Sequence, residues 1–272
     1  MRRHLTINGR RLSYLERNPS GGRGTLVLLH GFPLNADMWT PQLDAIPQGW
    51  RLIAPDFRGF GESDADRGDL ASARLTLEDY ARDMAGLLDE LAVRNPVLAG
   101  LSLGGYAAFA AMRLQTIQPS GLILADTRPQ ADTEEGRAGR QRMIGLVDRE
   151  GAAGVANEML PKLVSDETRQ NQPDVVERLR RLILAAPPDA IKAALYRMMS
   201  RPDSTAQLAH VQCPTLIVVG ERDVLTPPNL SHDMQARIAG ATLETIPSAG
   251  HMSNLEQPEA FNAALIRFLD RV

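Results

Sequence analysis

Cysteine is nearly absent from this 272-residue chain, where Cys213 stands alone. A single thiol excludes an internal disulfide and any zinc site built on cysteine ligands. Its setting, Val211-Gln212-Cys213-Pro214 ahead of an apolar run, reads as a small buried hydrophobe. Net charge is also nearly absent. Acidic and basic residues number 33 and 30, leaving −3, which gives no sign of the basic stripe of a nucleic-acid binder or of a polybasic membrane patch. No apolar stretch reaches the ~18 residues that span a bilayer. Met1-Arg2-Arg3-His4-Leu5-Thr6 carries two arginines with no apolar signal core behind them. The expectation is a cytoplasmic protein with neither nucleic acid nor membrane among its partners. Lysine occurs only at Lys162 and Lys192, a bias to which no mechanism attaches. Internal repeats, low-complexity tracts, histidine–cysteine clusters and glycine-rich phosphate loops are all missing, so no metal and no cofactor is expected.

What remains is an ordinary globular composition, 43% hydrophobic and 23% charged. A chain of this length buries a sizeable core without disulfides or metal. His4-Leu5-Thr6-Ile7 and Arg11-Leu12-Ser13-Tyr14-Leu15 alternate in polarity around Asn8-Gly9, which predicts a hairpin on a type I′ turn. Continuous apolar runs follow at Thr25-Leu26-Val27-Leu28-Leu29, Leu52-Ile53-Ala54, Val97-Leu98-Ala99, Leu122-Ile123-Leu124-Ala125 and Leu216-Ile217-Val218-Val219. Runs of this kind belong to strands buried on both faces. Between several of them lie helical patterns. Leu77, Tyr80, Met84, Leu87, Leu88 and Leu91 share one helical face, with Thr76 and Asp79 placed as a capping pair. Phe261, Leu265, Phe268, Leu269 and Val272 form another such face near the end.

Buried strands alternating with helices predict an α/β fold, a mostly parallel sheet with helices on both faces. Residues 127–206 break the rhythm, with helical patterns but no convincing strand. Glu150-Gly151-Ala152-Ala153-Gly154 and Pro187-Pro188 punctuate them. Because the strand pattern resumes directly afterwards, the segment reads as a helical insertion. Residues 1–126 and 207–272 then make one core domain.

The strongest local signal is Gly100-Leu101-Ser102-Leu103-Gly104, between the Val97 run and the helix-like Gly105-Tyr106-Ala107-Ala108-Phe109-Ala110. A G-x-S-x-G pentapeptide is weak alone; its strand–turn–helix setting makes it specific. A serine on so tight a turn needs small neighbours. The helix behind it aims N–H groups at developing negative charge. Ser102 is therefore the candidate nucleophile, and it needs a base. His4 lies in the hairpin, and His210 and His232 have no notable neighbours. His30, before Gly31, more naturally shapes a turn. His251, in Ser248-Ala249-Gly250-His251-Met252 between a short strand and the final helix, overhangs the sheet edge where ligands bind. It is the preferred base. For the acid that orients it, Asp223 in Gly220-Glu221-Arg222-Asp223 is preferred over Glu221 and Asp126.

These segments, with His30-Gly31-Phe32-Pro33 and Asp56-Phe57-Arg58-Gly59-Phe60-Gly61-Glu62-Ser63, carry a resemblance. The chain resembles the α/β-hydrolase superfamily over essentially its whole length, and the order Ser102, Asp223, His251 is that family's order. The resemblance implies the α/β-hydrolase fold. It implies that the backbone N–H groups of Phe32 and Leu103 form an oxyanion hole. It also implies that residues 127–206 are a cap roofing the substrate site, and that the loop from Asp56 to Ser63 is structural, with Asp56 or Arg58 paired internally.

Serine at the elbow argues against epoxide hydrolases and haloalkane dehalogenases of this fold, which use aspartate. It implies acyl transfer, and the expected reaction is hydrolysis of small or medium apolar carboxylic esters through an acyl-enzyme, with a lactone as the alternative small-molecule substrate. Carboxylesterases and enol-lactonases are the most similar members; carbon–carbon bond hydrolases, cofactor-free perhydrolases and non-enzymatic small-molecule receptors share the same residues. An apolar pocket is expected from Phe32, Trp39, Leu103, Leu225 and Met252, with Met143, Met159, Met198 and Met199 from the cap. The cap methionines read equally well as core at helical spacing. No anion-recognition cluster stands out, although Arg128 follows a strand end.

Overall fold

The computed structural model describes residues 1–18, 20, 22–66 and 74–272. Eight strands form one sheet: β1 (Arg2–Ile7), β2 (Arg10–Arg17), β3 (Gly24–Leu29), β4 (Trp50–Pro55), β5 (Val97–Leu101), β6 (Gly121–Ala125), β7 (Thr215–Gly220) and β8 (Thr242–Ile246). Their spatial order is β1-β2-β4-β3-β5-β6-β7-β8. β1 and β2 pair antiparallel through a turn with Asn8 at φ 50° and Gly9 at φ 74°, as the Asn-Gly pair predicts. β2 also meets β4 antiparallel, and every later pairing is parallel. Every residue of β5, β6 and β7 is buried, which is why these strands read as unbroken apolar runs.

The helices are α1 (Thr40–Ala45), α2 (Leu77–Glu90), α3 (Leu103–Leu114), α4 (Glu134–Leu163), α5 (Asp166–Asn171), α6 (Pro173–Leu184), α7 (Pro188–Ser200), α8 (Pro228–Arg237), α9 (Ser253–Glu256) and α10 (Pro258–Leu269). At the start of α2 the Asp79 carboxylate accepts from the Thr76 N–H at 3.2 Å. Leu77, Tyr80, Met84, Leu87 and Leu88 form its buried face. Phe261, Leu265, Phe268 and Leu269 do the same for α10, while Val272 lies past its end. None of the described helices is long and apolar enough to cross a membrane.

Helices α4 to α7 fill the stretch between β6 and β7. Within α4 the helix breaks at Gly151, whose φ of 60° and ψ of −153° suit glycine alone. Arg197 of α7 joins these helices to α2 and to Asp66 ahead of it. Its side chain is fully buried, bonds Asp66 at 2.9 and 3.0 Å and Asp79 at 3.0 Å, and lies 4.7 Å over the Tyr80 ring.

The chain runs from β3 outward to β4 and returns on the other side of β3 to form β5. The loops leaving β3 and β5 therefore diverge and open a crevice at the carboxyl edge of the sheet. Phe32 and Ser102 lie on those two loops.

Candidate active site

Ser102 follows β5 directly and precedes the first turn of α3, with φ 53° and ψ −111°. Positive φ is unusual for a serine and persists only where its surroundings over-determine it. Here the Ser102 N–H donates to the Ala125 carbonyl at 3.0 Å, and the Ser102 carbonyl accepts from Gly105 N–H and Thr127 Oγ1, each at 2.9 Å. A Cβ on Gly104 would collide with the Leu29 carbonyl oxygen, so the turn seats α3 directly on β3.

Asp223 leaves the end of β7, and His251 lies between β8 and α9. His251 Nε2 is 2.9 Å from Ser102 Oγ, and Nδ1 is 2.8 Å from Asp223 Oδ2. The second Asp223 oxygen accepts from Leu225 N–H at 2.8 Å and Thr226 N–H at 3.0 Å, while Thr226 Oγ1 donates to Oδ2 at 2.6 Å. Burial alone would raise the Asp223 carboxyl, but the His251 charge and these donors outweigh it and hold it at about 2. An ionised Asp223 can only accept, so Nδ1 carries the proton and Nε2 is left to receive one from Ser102. Burial pulls the His251 imidazole down; Asp223 overcomes this and leaves it above its usual range.

Among the described residues, neither the Phe32 nor the Leu103 N–H donates to a protein acceptor. Phe32 lines the same cavity as Ser102 and His251, about 150 Å³ in volume. Leu103 N–H stands at the amino end of α3, where backbone donors are unfilled by the helix. Such an arrangement can deprotonate a serine as it attacks a carbonyl and can offer donors to the oxygen that becomes negative.

The competitors occupy other places. Asp126 is fully buried, and its carboxyl meets Gly220 N–H at 2.8 Å and the Ser253 hydroxyl. Burial first, then repulsion from Asp223, raises it well above the usual carboxylate range. Glu221 accepts from Ser248 N–H at 3.1 Å on the exposed rim. His30 is buried, takes the Phe57 N–H on Nε2 at 3.0 Å and is pushed down to about 4 by burial; it ties the ends of β3 and β4. His4 faces Glu62 at the surface, and His210 meets its own helical turn. The Asp56–Ser63 loop is paired internally, Asp56 with Arg2, Ser13 and Ala36 N–H, Arg58 with Asp83 at 2.6 and 2.7 Å. Cys213 is half-buried, and burial pushes its thiol up, the opposite of what a reactive cysteine needs.

Leu225, Met159 and Met198 complete the apolar wall near Ser102. A larger cleft of about 470 Å³ shares Phe32, Met159 and Leu225 with it and adds Met143. Among the described residues lining either cavity, four expected side chains are missing: Trp39, Leu103, Met252 and Met199, the last packed half-buried against the core. Trp39 ends a short 3-10 turn that directs its ring into the core, 6.2 Å from Phe261 of α10. Leu103, at the start of α3, buries its side chain completely and faces the site through backbone only. Met252 is fully buried beneath the histidine loop, its N–H donating to the Leu163 carbonyl at 3.0 Å.

Two features escaped the sequence reading. Arg128, visible there only as a residue following a strand end, lines the Ser102 cavity together with Arg140. Glu256, buried in α9, takes Gly250 N–H at 2.9 Å and Met252 N–H at 3.2 Å on one oxygen and Ser165 N–H at 2.8 Å on the other. It fixes both residues beside His251 and docks the end of the α4 layer against them. No motif marks a carboxylate on a four-residue helix, so spacing alone cannot single it out.

A family model described as "Alpha/beta hydrolase family" matches residues 26–264. The chain is similar to a thermophilic esterase from Thermogutta terrifontis solved with malate bound: 38% identity, TM-score 0.91, covering 100% of this chain and 98% of that one. It is 26% identical to 3-oxoadipate enol-lactonase 1 of Acinetobacter baylyi over 94% of this chain and 93% of that protein. A pimeloyl-[acyl-carrier protein] methyl ester esterase of Nitrosospira multiformis is also 26% identical, over 89% and 93%.

Proposed function

The chain belongs to the alpha/beta hydrolase family, and we propose that it is a serine hydrolase cleaving carboxylic esters or lactones through an acyl-enzyme. One observation carries the reading: Ser102 Oγ, His251 and Asp223 form a continuous hydrogen-bonded line, at 2.9 and 2.8 Å, whose serine and histidine line a cavity. In this reading Ser102 Oγ bonds to the acyl carbon while His251 Nε2 takes its proton. The carbonyl oxygen gains negative charge against the Phe32 and Leu103 N–H groups. The intermediate collapses, His251 gives its proton to the departing alkoxide, and the acyl group remains on Ser102. Water repeats the sequence, releasing the acid and restoring the serine. A lactone opens by the same steps, its alcohol staying tethered to the acyl group. Residues 127–206 act as the cap, since α4 and α7 supply Met159 and Met198 to the wall above Ser102.

Intact mass after treatment with a fluorophosphonate tests the reading. One adduct is expected on the wild type, localised to Ser102, with loss of aryl-ester turnover. Ser102→Ala should take up no label and turn over no ester while keeping the wild-type circular dichroism. A Ser102→Ala protein that still hydrolyses ester at the wild-type rate would overturn it.

A further inference from the structure

The apolar wall near Ser102 is interrupted by Arg128 and Arg140. Both converge on Asp132, a buried carboxylate that Arg201 also engages at 2.8 Å. Arg201 is committed. It donates to the carbonyls of Gln130 at 3.2 and 3.0 Å and of Met198 at 2.9 Å, and it lies 4.2 Å over the Tyr106 ring. Arg140 gives Nε and one terminal nitrogen to Asp132. Arg128 gives one terminal nitrogen to Asp132 at 3.2 Å, and its buried Nε has no partner among the described residues. Three guanidinium groups thus share one carboxylate, leaving two positive charges in excess. Two of the three face the cavity with donors to spare. Burial at such a place is costly for unpaired charge, and a guanidinium fork matches a carboxylate. The larger cleft continues the pattern: among the described residues lining it, Arg140, Arg142, Arg149 and Lys162 stand against one carboxylate, Glu158, which Lys162 engages. A cationic approach of this kind concentrates anions at the mouth.

We infer that the substrate is an ester or lactone carrying a free carboxylate a few bonds from its scissile carbonyl, held by Arg128 and Arg140 while Ser102 attacks. This rests on the serine-hydrolase reading and narrows it. Serine, histidine and both arginines line one cavity of about 150 Å³, which allows only a short chain between the two ends. Phe32, Leu225 and Met198 make the walls between them apolar, which suits a methylene spacer.

Monoethyl glutarate and ethyl pentanoate provide the test, since they differ only in a terminal carboxylate. Ethanol release gives kcat/KM for each. The wild type is expected to favour the anionic ester at least tenfold, with a preference that shrinks as ionic strength rises. Arg128→Met and Arg140→Met should each lower the anionic-to-neutral ratio by about 10- to 100-fold, the scale of a charge-assisted hydrogen bond. Arg128→Lys should restore part of it. Because each ratio is taken within one protein, general damage to the fold or to the serine cancels. Glutarate should inhibit competitively and pentanoate should not. Hydrolysis of ethyl pentanoate with equal or lower activity on monoethyl glutarate would overturn this inference and leave the serine-hydrolase reading standing. A ratio unchanged in both methionine variants would do the same. Hydrolysis of neither ester by a folded wild type, with no fluorophosphonate adduct, would overturn both.

Discussion

Asp223→Asn and Asp126→Asn make the same chemical change on two buried carboxyls near His251, and opposite results are expected. At residue 223 the orientation of the new amide is forced. One oxygen of Asp223 accepts from Leu225 and Thr226 N–H, so in the variant the amide oxygen must stay there. The amide nitrogen then faces His251 Nδ1 and Thr226 Oγ1, where Asp223 Oδ2 now sits. A donor against Nδ1 selects the tautomer with the proton on Nε2. That tautomer points N–H at Ser102 and cannot take the serine proton. The analogous change in serine proteases lowers kcat on the order of 10⁴-fold, about 5 kcal/mol of barrier. Residue 126 differs. Its carboxyl is driven toward the neutral form by burial and by Asp223, and asparagine resembles a neutral acid. The amide oxygen can keep the Gly220 N–H while the nitrogen donates to Ser253 Oγ. Activity within a few-fold of wild type is expected, under about 1 kcal/mol. Single-turnover and steady-state kinetics on an aryl ester, with circular dichroism on each variant, measure both. An Asp126→Asn loss equal to that of Asp223→Asn would show that the wrong carboxyl has been assigned to the histidine.

Much of this fold is legible because its strands leave little choice. β5, β6 and β7 are covered on both faces, so each is a short unbroken apolar run bounded by turn residues. β8, at the sheet edge, buries only Ile246 fully and is correspondingly less apolar. The serine turn announces itself because its backbone excludes side chains at Gly100 and Gly104, leaving a mark in the linear order of residues. The same holds for Gly151, where a conformational requirement breaks α4 and appears as a glycine inside a helical pattern.

The pocket is legible only in part, and orientation is the reason. Leu103 adjoins the serine in sequence, yet at the start of a helix packed on the sheet its side chain turns inward. Trp39 is near the Phe32 loop, but a single turn of 3-10 helix rotates it onto Phe261. Sequence adjacency places backbone, whereas side-chain direction depends on the next element's packing. The arginine cluster fails in the opposite way. Asp132 and Arg140 straddle the start of α4 and Arg201 follows α7, so their meeting point exists only once the helices between β6 and β7 have folded back over the sheet.

Two further outcomes follow from buried charges. Arg197→Met should cost about 3 kcal/mol of stability, the low end for breaking a buried pair, because it removes the buried guanidinium that Asp66 and Asp79 share while Asp66 keeps Arg58 at 3.2 Å and Asp79 keeps Arg82 at 3.6 Å; a urea-unfolding difference below about 1 kcal/mol would show the pairs to be dispensable. The last concerns pH. Because Asp223 holds the His251 imidazole above its ordinary range, kcat/KM for a neutral ester should fall on acidification through a single titration above pH 6.5, the unperturbed histidine value. Protonating His251 does not itself weaken the fold. A group whose pKa is raised on folding contributes its stability below the unfolded value and loses it as pH rises through the folded one. His30 acts the other way. Its stabilisation is present above about 6.5 and is lost as pH falls to about 4, on the order of 3 kcal/mol for that span. A profile from about pH 6 to 9, with circular dichroism at each point, therefore separates the two histidines: the rate should drop while His30 is still neutral and the fold intact. An inflection well below pH 6, or one that moves with loss of ellipticity, would mean that the titration seen is not that of the base beside Ser102.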